Sequence, residues 1–583
     1  MGIIPEINGT YKEINGVFVL PEEIGMNQSF PETNNVFLNR LKKLGDYKFT
    51  QRKQTICYQE EACMPKEAYK LQIQNDRVTI TSSGETGYAY ALVTLFQLLA
   101  EGRGTVKNCI ISDEPRFAYR GIMLDVCRHF FPVTEIKKII EQMALVKMNC
   151  LHWHLSDDQG YRIESRRFPK LNEVSSWRML AQQDPIVLKG LARKGDRYGG
   201  YYTWDEIHDI VSFARVRQIE IIPEISMPGH SSAILAAYPE YTCSGKQLRV
   251  RNTFGVHDRI FCAGNKEVYS FLFELLDEIL ELFPGKFIHL GGDEVPKSEW
   301  HDCPTCNKLM QEKSLKGYEY LQCYFTNRII DHIKEKGKEA IVWNESACSG
   351  ELDETAVIQY WMEMAPGASY VTPEIAKGRK FILSSMNQFY CDYSYAEVPL
   401  HATLMYEPEI KGTAVPEENV FGIEAPMWTE WTPEEEDIEK MIYPRMLAVA
   451  ECGWTKKRNQ QDFMCRAEEF LQEECMNILT PMPWKEATIY GQKALEMIAV
   501  KMVELGAKYG NMAQGEDPNE VGKAEAVTPE TESDTPQIDM TVMIRAYITE
   551  RMKAAYTQED IDVVMGMIIE MMSQEAGTEE NDE

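Results

Sequence analysis

The sequence has little positive charge for its length. Its 583 residues include 61 lysines and arginines against 90 aspartates and glutamates, a net charge of −29. Such an acidic surface disfavours nucleic acid and anionic membranes as partners. No apolar run approaches the roughly 20 residues of a membrane span, and the first residues lack the basic start and apolar stretch of a secretory signal. We therefore expect a cytoplasmic protein with no nucleic-acid or membrane partner.

The sequence also lacks a disulfide pattern. Its 15 cysteines are odd in number and scattered, which predicts reduced thiols. Cys303-Pro-Thr-Cys306, beside His301, could begin a zinc site, but no second cysteine pair has a suitable spacing. A loop with free thiols is the favoured interpretation, and we expect no metal and no cofactor.

A glycine-rich phosphate turn is missing as well, and an open doubly wound sheet would need one. From about residue 118, apolar segments alternate with helical patterns such as Val133–Lys147 and Tyr318–Lys336. This alternation predicts an α/β fold, a (β/α)₈ TIM barrel. The eight predicted strands are Tyr119–Val126, Asn149–Ser156, Ile219–Ile225, Phe287–Leu290, Ala340–Trp343, Val357–Trp361, Phe381–Ser384 and Val420–Glu424.

The composition divides the chain into five predicted parts. Residues 1–115 mix strand-like runs with one helical run and predict a small α+β domain. The barrel follows at 116–475, and a helical extension at 476–512. Residues 513–537 are rich in Glu, Pro, Thr and Gly, which predicts a disordered linker. Residues 538–583 form a Met-rich helical segment with an acidic tail, and we expect everything after residue 512 to be dispensable for chemistry.

The most informative motif is His289-Leu-Gly-Gly-Asp-Glu294, at the end of an apolar run. Neighbouring carboxylates on an extended strand would point to opposite faces. The two glycines relax the backbone and allow Asp293 and Glu294 to face one pocket. Two carboxylates in different environments can serve as one acid and one ionised group, as glycoside hydrolysis requires.

The predicted strand ends collect side chains suited to binding a sugar. Chemistry in TIM barrels takes place at the carboxyl ends of the strands. Aromatic faces stack on sugars, whereas carboxylates and arginine bind hydroxyl groups. In chain order the strand-end residues are Arg120, Asp125, Arg128, His129, His152, His154, Asp157, Asp158, Glu224, His230, Asp293, Glu294, Trp343, Trp361, Tyr390, Asp392, Trp428 and Glu430.

These segments resemble the β-N-acetylhexosaminidases of glycoside hydrolase family 20. The resemblance covers roughly residues 1–475. It rests on the motif around Asp293 and Glu294 and on four further segments, Tyr119–Pro132, Asn149–Asp158, Ile222–His230 and Gly422–Glu430. It implies an exo-acting, retaining enzyme that removes terminal β-linked GlcNAc or GalNAc from an oligosaccharide or glycoconjugate. In that family the substrate's acetamido oxygen attacks the anomeric carbon and forms an oxazolinium intermediate.

The resemblance also implies roles for the catalytic residues. Glu294 would be the general acid and then the base, and Asp293 would support the acetamido nitrogen. Tyr390 would hold the acetamido oxygen. Asp157 and His230 would tune Glu294.

Substrate-binding roles follow from the same resemblance. Trp343, Trp361 and Trp428 would wall the acetyl pocket and the sugar face. Arg120 would bind the far hydroxyls, Glu430 those near O4 and O6, and His154 and Asp392 would shape the pocket. We assign Asp125, Arg128, His129 and Glu224 a structural role, because buried charged groups at strand ends often pair with each other.

Two other functions are compatible with a barrel of this kind. A metal-dependent barrel hydrolase would use His152 and His154, which share one strand face. It would need further ligands from later strands, and strands five and six end instead in Trp343 and Trp361. A non-catalytic sugar-binding protein would not need the acid at Glu294. The motifs do not distinguish GlcNAc from GalNAc, or one oligomeric state from another.

Overall fold

The computed structural model describes residues 2–50, 54–362, 371–395 and 397–472. Residues 1–392 and 403–481 belong to one compact unit, and residues 393–402 belong to a second. The predictions for 476–512, 513–537 and 538–583 lie outside the described residues. No helix in the described ranges is long and apolar enough to cross a membrane.

A small α+β domain precedes the barrel. Its main sheet has the strand order β1-β7-β5-β6-β4, and β2 pairs with β3. The helix α2 is buried along nearly its whole length, because its residues pack on the sheet and also reach the barrel, where Gln97 Nε2 donates to Leu145 O at 2.7 Å. The elements are β1 (Thr10–Val19), β2 (Glu23–Gly25), α1 (Pro31–Leu41), β3 (Lys48–Thr50), β4 (Ile56–Glu60), β5 (Tyr69–Gln74), β6 (Arg77–Ser82), α2 (Glu85–Glu101) and β7 (Thr105–Asp113).

Eight parallel strands then close into a barrel, which confirms the predicted (β/α)₈ fold. The last strand closes on the first, with Gly422 opposite Tyr119. The barrel strands in spatial order are β8 (Tyr119–Asp125), β9 (Cys150–His154), β14 (Glu220–Glu224), β15 (Phe287–His289), β16 (Glu339–Trp343), β17 (Val357–Tyr360), β18 (Phe381–Leu383) and β21 (Val420–Met427).

Helices and short hairpins connect these strands, and further helices follow the last strand. The helices are α3 (Val133–Leu145), α4 (Pro185–Leu188), α5 (Trp204–Arg215), α6 (Ser232–Ala237), α7 (Lys266–Leu282), α8 (Ser298–His301), α9 (Pro304–Lys313), α10 (Tyr318–Glu335), α11 (Val371–Ala376), α12 (Met386–Phe389), α13 (Leu400–Leu404), α14 (Glu435–Ile442), α15 (Arg445–Trp454) and α16 (Gln460–Gln472). The inserted strands are β10 (Ser156–Asp157), β11 (Gly160–Tyr161), β12 (Trp177–Met179), β13 (Arg197–Gly199), β19 (Glu409–Ile410) and β20 (Thr413–Ala414).

The barrel interior changes from apolar to charged along its axis. Near the amino ends of the strands it is filled by Tyr119, Cys150, Ile222, Phe287, Ile341, Val357 and Ile382. Since side chains alternate along a strand, the inward position two residues after Cys150 is His152, and two after Ile222 is Glu224. Nε2 of His152 lies 3.0 Å from Glu224 Oε2, and its Nδ1 lies 2.9 Å from Glu424 Oε1. The charged groups thus occupy the carboxyl half of the barrel, where the predicted site residues begin.

Candidate active site

The turn after β15 brings the two adjacent carboxylates to one point. Gly291, Gly292 and Glu294 all have positive φ angles, of 67°, 100° and 48°. A side chain at Gly292 would be strained at this φ, and its Cβ would lie 2.0 Å from Ser346 Oγ, which would have to rotate away. The turn ends with Asp293 Oδ2 and Glu294 Oε2 at 3.6 and 3.5 Å from the same atom, His230 Nε2. Their side chains keep 15% and 25% of their surface exposed, so both can reach a ligand.

His230 carries positive charge between these carboxylates and a second acidic pair. Its Nδ1 lies 3.4 Å from Asp157 Oδ1 and 3.3 Å from Asp158 Oδ2. Burial opposes a charge on the ring, but the carboxylates of Asp157 and Asp293 outweigh it and raise the pKa of His230 well above its usual value. Asp293 and Glu294 therefore face an imidazolium.

Behind His230, a buried chain of alternating charges fixes Asp157. His154 Nε2 lies 2.7 Å from Asp157 Oδ2, and its Nδ1 bonds to Glu224. Burial opposes the charge on His154, yet Glu224 and Asp157 raise its pKa to about 10. Burial likewise opposes the charge on Asp157, but Arg128, His230 and His154 hold the pKa of Asp157 well below its usual value. Asp157 is therefore an anion that orients His230.

The pKa of Asp293 is shifted in the opposite direction to that of Asp157. Burial raises its pKa to about 6, and the neighbouring charges of Glu224 and Glu294 add to that effect. The positive charge of His230 acts in the opposite direction without cancelling it. Asp293 thus changes its protonation state close to neutral pH.

Glu345 is a site residue that the sequence reasoning missed. Its two carboxyl oxygens share the single N–H of Trp361 Nε1, at 3.0 and 3.1 Å. Burial, with the charge of Asp293, raises the pKa of Glu345 to about 8. Its position two residues after Trp343 at the end of β16 was the available signal.

The predicted aromatic residues fall into two groups. Trp343 is buried and donates from Nε1 to Glu224 Oε1 at 2.9 Å, and its ring lies 6.2 Å from that of Trp428. Trp361 stacks on Tyr390 with ring centroids 6.1 Å apart. Glu345 accepts a hydrogen bond from Trp361 of this second pair, and its pKa is raised in part by the charge of Asp293. Asp392 is half-buried, two residues after Tyr390.

The prediction that Arg120 binds substrate is wrong. Arg120 is the second residue of β8, at the amino end of the barrel, and it follows the inward-facing Tyr119, so it points out of the barrel. Its guanidinium is fully buried and pairs with Glu67 of the small domain at 3.0 Å. It also donates to the hydroxyl of Tyr90 at 3.1 Å.

Arg128 occupies the position at the site that was predicted for Arg120. It follows the carboxyl end of β8, with Nη2 3.0 Å from Asp157 Oδ2 and 3.7 Å from Glu430 Oε1. Its guanidinium lies over the ring of Trp428, 4.9 Å from the centroid. Asp125 and Glu224 make internal bonds, as expected of a structural role, but Arg128 stands beside the predicted substrate residue Glu430.

His152 and His154 do not present free nitrogens to a metal. Both nitrogens of His152 face Glu224 and Glu424, and both nitrogens of His154 face Glu224 and Asp157. These carboxylates belong to the barrel's own charge network. A metal at His152 would compete with this network, although His152, Glu224 and His289 do bring ligand atoms within 4.8 Å of one another.

The thiols of Cys303-Pro-Thr-Cys306 are free, as expected, but they have neighbours that the sequence spacing did not predict. Cys243 and Cys262 bring their sulfurs beside them, so that all four sulfurs lie within 4.8 Å of one another. Sequence spacing did not reveal them, because Cys243 and Cys306 are 63 residues apart in the chain.

A closed parallel barrel with paired carboxylates and aromatic walls at its strand ends is an architecture of glycoside hydrolases. The family model of the glycosyl hydrolase family 20 catalytic domain matches residues 117–457, and the model of domain 2 of that family matches residues 3–114. The chain therefore belongs to glycosyl hydrolase family 20.

Individual relatives agree with this assignment. A β-hexosaminidase of Porphyromonas gingivalis is 35% identical over 448 residues, which are 72% of this chain and 55% of that protein. The match thus spans little more than half of that relative. The structure of an exo-β-N-acetylglucosaminidase from Vibrio harveyi, in complex with N-acetylglucosamine, superposes with a TM-score of 0.72 and 28% identity over 83% of this chain and 78% of that one. A β-N-acetylhexosaminidase from Bacteroides fragilis gives 0.73 and 27% over 84% and 99%.

Proposed function

We propose that the protein is an exo-acting, retaining β-N-acetylhexosaminidase that removes terminal β-linked GlcNAc or GalNAc through an oxazolinium intermediate. The observation that carries this proposal is the turn after β15, where Asp293 and Glu294 reach the same His230 atom from consecutive positions. Consecutive residues on one turn can support the leaving oxygen and the acetamido group side by side. The substrate class is supported by a β-hexosaminidase relative and by a similar exo-β-N-acetylglucosaminidase structure with N-acetylglucosamine bound.

Glu294 is the proposed acid and base. Its side chain is the more exposed of the two carboxylates, which suits contact with a leaving group and then with water. His230 lies against both carboxylates and is itself oriented by the anionic Asp157. His230 and Asp157 are therefore positioning residues for the proton transfer.

Asp293 is the proposed partner of the acetamido nitrogen. An ionised Asp293 would stabilise the positive charge that develops on that nitrogen as the ring closes. Tyr390, which stacks on Trp361, is the residue proposed to hold the acetamido oxygen. Trp343, Trp428 and Trp361 form the proposed walls around the acetyl group and the sugar face, and His154 packs edge-on against Trp428 at 4.9 Å.

The hydroxyl groups of the terminal sugar are assigned to Arg128 and Glu430. Their side chains are 3.7 Å apart beside Trp428. The guanidinium of Arg128 can donate hydrogen bonds to sugar hydroxyl groups, and the carboxylate of Glu430 can accept them. Asp392 is retained as a residue that shapes the pocket. Closure of the pocket around a terminal sugar is the basis of the proposed exo-action.

The decisive experiment compares three substrates that share one leaving group. The N-acetylglucosaminide should be cleaved, whereas the glucoside and the free-amine glucosaminide should be very poor substrates, because they lack the attacking oxygen. A thiazoline analogue of the cyclised intermediate should inhibit strongly, since it resembles the species that the site stabilises. If the glucoside is cleaved as fast as the N-acetylglucosaminide, substrate assistance is wrong and Asp293 becomes a candidate nucleophile.

The same assay tests Glu294 and the non-catalytic alternative. Glu294→Gln should lower turnover by about 10²- to 10⁴-fold on substrates with poor leaving groups, and by less on very good ones that need little protonation. Glu312→Gln, on the exposed surface of α9, is the matched control. An equal loss on both substrate types would count against Glu294 as the acid, and no turnover by the wild type would favour a binding protein. The cytoplasmic location stays a prediction that cell fractionation can check.

A further inference from the structure

Four cysteines from distant parts of the chain meet in one place. Cys262 Sγ lies 3.7 Å from Cys303 Sγ and 3.7 Å from Cys306 Sγ, and Cys243 Sγ lies 3.9 Å from Cys306 Sγ. A tetrahedral ion with metal–sulfur bonds of about 2.3 Å holds its ligands about 3.8 Å apart. The observed separations therefore match a tetrahedral site with four sulfur ligands.

Two structural elements build this four-cysteine cluster. Cys303 immediately precedes α9 and Cys306 lies in its first turn, so the Cys-x-x-Cys segment points both sulfurs the same way. Cys243 and Cys262 each follow one member of the antiparallel bridge between Thr242 and Phe261. Because side chains alternate along paired strands, Cys243 and Cys262 lie on the same face of this bridge, and their sulfurs meet those of the helix start.

The surroundings suit thiolates that bind a metal. The backbone N–H of Gly264 points at Cys306 Sγ at 3.3 Å, and such a bond stabilises a negatively charged sulfur. A Cβ at Gly264 would lie 2.4 Å from Thr305 O, so only glycine lets this loop approach the helix start so closely. Cys262, Cys303 and Cys306 are buried, and Cys243 is half-buried.

Disulfides do not account for the arrangement. A disulfide joins two sulfurs at about 2.05 Å, whereas Cys262 is equidistant from two different sulfurs at nearly twice that length. All four residues are free cysteines. Four thiols converging at one buried point are the donor set that selects a soft, tetrahedral divalent ion.

We propose that this cluster is a structural zinc site, with the ion bound by Cys243, Cys262, Cys303 and Cys306. Four protein sulfurs leave no open position for water, so the ion takes no part in hydrolysis. The site is independent of the proposed glycosidase mechanism.

The zinc would hold together two loops at the carboxyl end of the barrel. One loop, residues 244–261, reaches the active-site side: Gln159 Nε2 donates to Thr253 O at 2.8 Å, and Arg251 N donates to Asp158 O at 3.2 Å. The other is the segment that follows Asp293 and Glu294. Trp300 Nε1 already links them by donating to Phe261 O at 2.9 Å. The ion thereby fixes the base of a loop that borders Asp158, next to His230.

The test uses the full chain, purified in reductant without added metal, and measures zinc by mass spectrometry. We expect about one zinc per wild-type chain. Replacement by Co²⁺ should give the intense sulfur-to-metal charge-transfer absorption and the visible bands of a tetrahedral thiolate site. Both measurements are made without substrate, so they succeed or fail independently of the hydrolase assay.

Variants locate the ion. Cys306→Ser should lose at least about nine-tenths of the zinc, while Cys323→Ser, which changes a buried cysteine of α10 outside the cluster, should retain it. If Cys306→Ser does not fold, chelator-treated wild type replaces it: its melting temperature should fall and be restored by Zn²⁺. The proposal is overturned if folded, reduced wild type binds neither zinc nor cobalt stoichiometrically. It is also overturned if Cys323→Ser loses as much metal as Cys306→Ser, or if peptide mapping finds disulfides within the cluster.

Discussion

At the scale of single residues, His230 sets the charge around both carboxylates. Its imidazolium lies 3.6 Å from Asp293 and 3.5 Å from Glu294, and Asp157 and Asp158 hold it from behind. Burial and the neighbouring carboxylates raise the pKa of Asp293 to about 6, and the charge of His230 acts to lower it. The protonation state of Asp293 therefore depends on His230.

This dependence predicts the pH profile. The role proposed for Asp293 requires an ionised carboxylate, so kcat/KM should fall as the pH drops through about 6. His230→Gln removes the positive charge that lowers the pKa of Asp293, and the acidic limb should then move to higher pH. Asp293→Asn should leave a low activity without this limb. An acidic limb that stays in place in His230→Gln would show that another group is responsible.

Substitution of the two arginines, Arg128 after β8 and Arg120 within it, tests which of them binds the substrate. Arg128→Lys removes the planar fork beside Glu430 and should lower kcat/KM by about 10- to 100-fold, the usual loss for hydrogen bonds between charged groups. Arg120→Lys is the matched control, because its side chain faces Glu67 at the opposite end of the barrel. It should lower the melting temperature and keep kcat/KM per folded molecule. The reverse result would return the substrate role to Arg120.

At the scale of elements, the turn after β15 determines where the carboxylates point. Gly292→Ala forces a non-glycine residue to a φ of about 100° and puts its Cβ against Ser346 Oγ. We expect about a 10²-fold loss of kcat/KM, the cost of displacing a catalytic group by about 1 Å. Far-UV circular dichroism should show a folded protein.

A second substitution separates the clash from the backbone strain. Gly292→Ala with Ser346→Gly removes the colliding hydroxyl and should recover part of the activity. Gly350→Ala is the control, because it also has a positive φ, of 74°, but open space around the added Cβ. If Gly292→Ala is as active as Gly350→Ala, the turn tolerates a side chain and does not set the geometry.

At the scale of the whole molecule, buried charges join the small domain to the barrel. Arg120 of β8 bonds to Glu67 and lies over the rings of Tyr90 and Trp454. Nearby, Lys147 Nζ lies 3.1 Å from Asp113 Oδ2 at the end of β7, and both are fully buried. The small domain thus completes the amino end of the barrel.

Glu67→Gln tests this function of the small domain. The change leaves the buried guanidinium of Arg120 without its counter-charge, so the free energy of unfolding in urea should fall by about 3 kcal/mol. Glu60→Gln, at an exposed position of β4, should have little effect. The kcat/KM of folded Glu67→Gln should match the wild type, and a selective loss of activity with unchanged stability would contradict a purely structural contact.

Much of this architecture follows from local patterns in the sequence. Side-chain alternation and helical periodicity depend on neighbouring residues, so they predicted all eight barrel strands to within a few residues at each end. The paired glycines of Gly291 and Gly292 predicted a turn that gathers two carboxylates, because only glycine readily takes those backbone angles. Strand ends then indicated most of the residues now proposed for the site.

Only the tertiary structure decided which distant groups meet. Arg120 lies in strand β8 and Arg128 follows it. Arg120 points out of the barrel at its amino end, whereas Arg128 lies at the carboxyl end beside Glu430. The sulfurs of Cys243 and Cys306 converge across 63 positions of the chain. The raised pKa of Asp293 arises from burial and from charges on other strands. Local patterns determine how each segment folds, whereas distances and desolvation exist only after the segments have packed together.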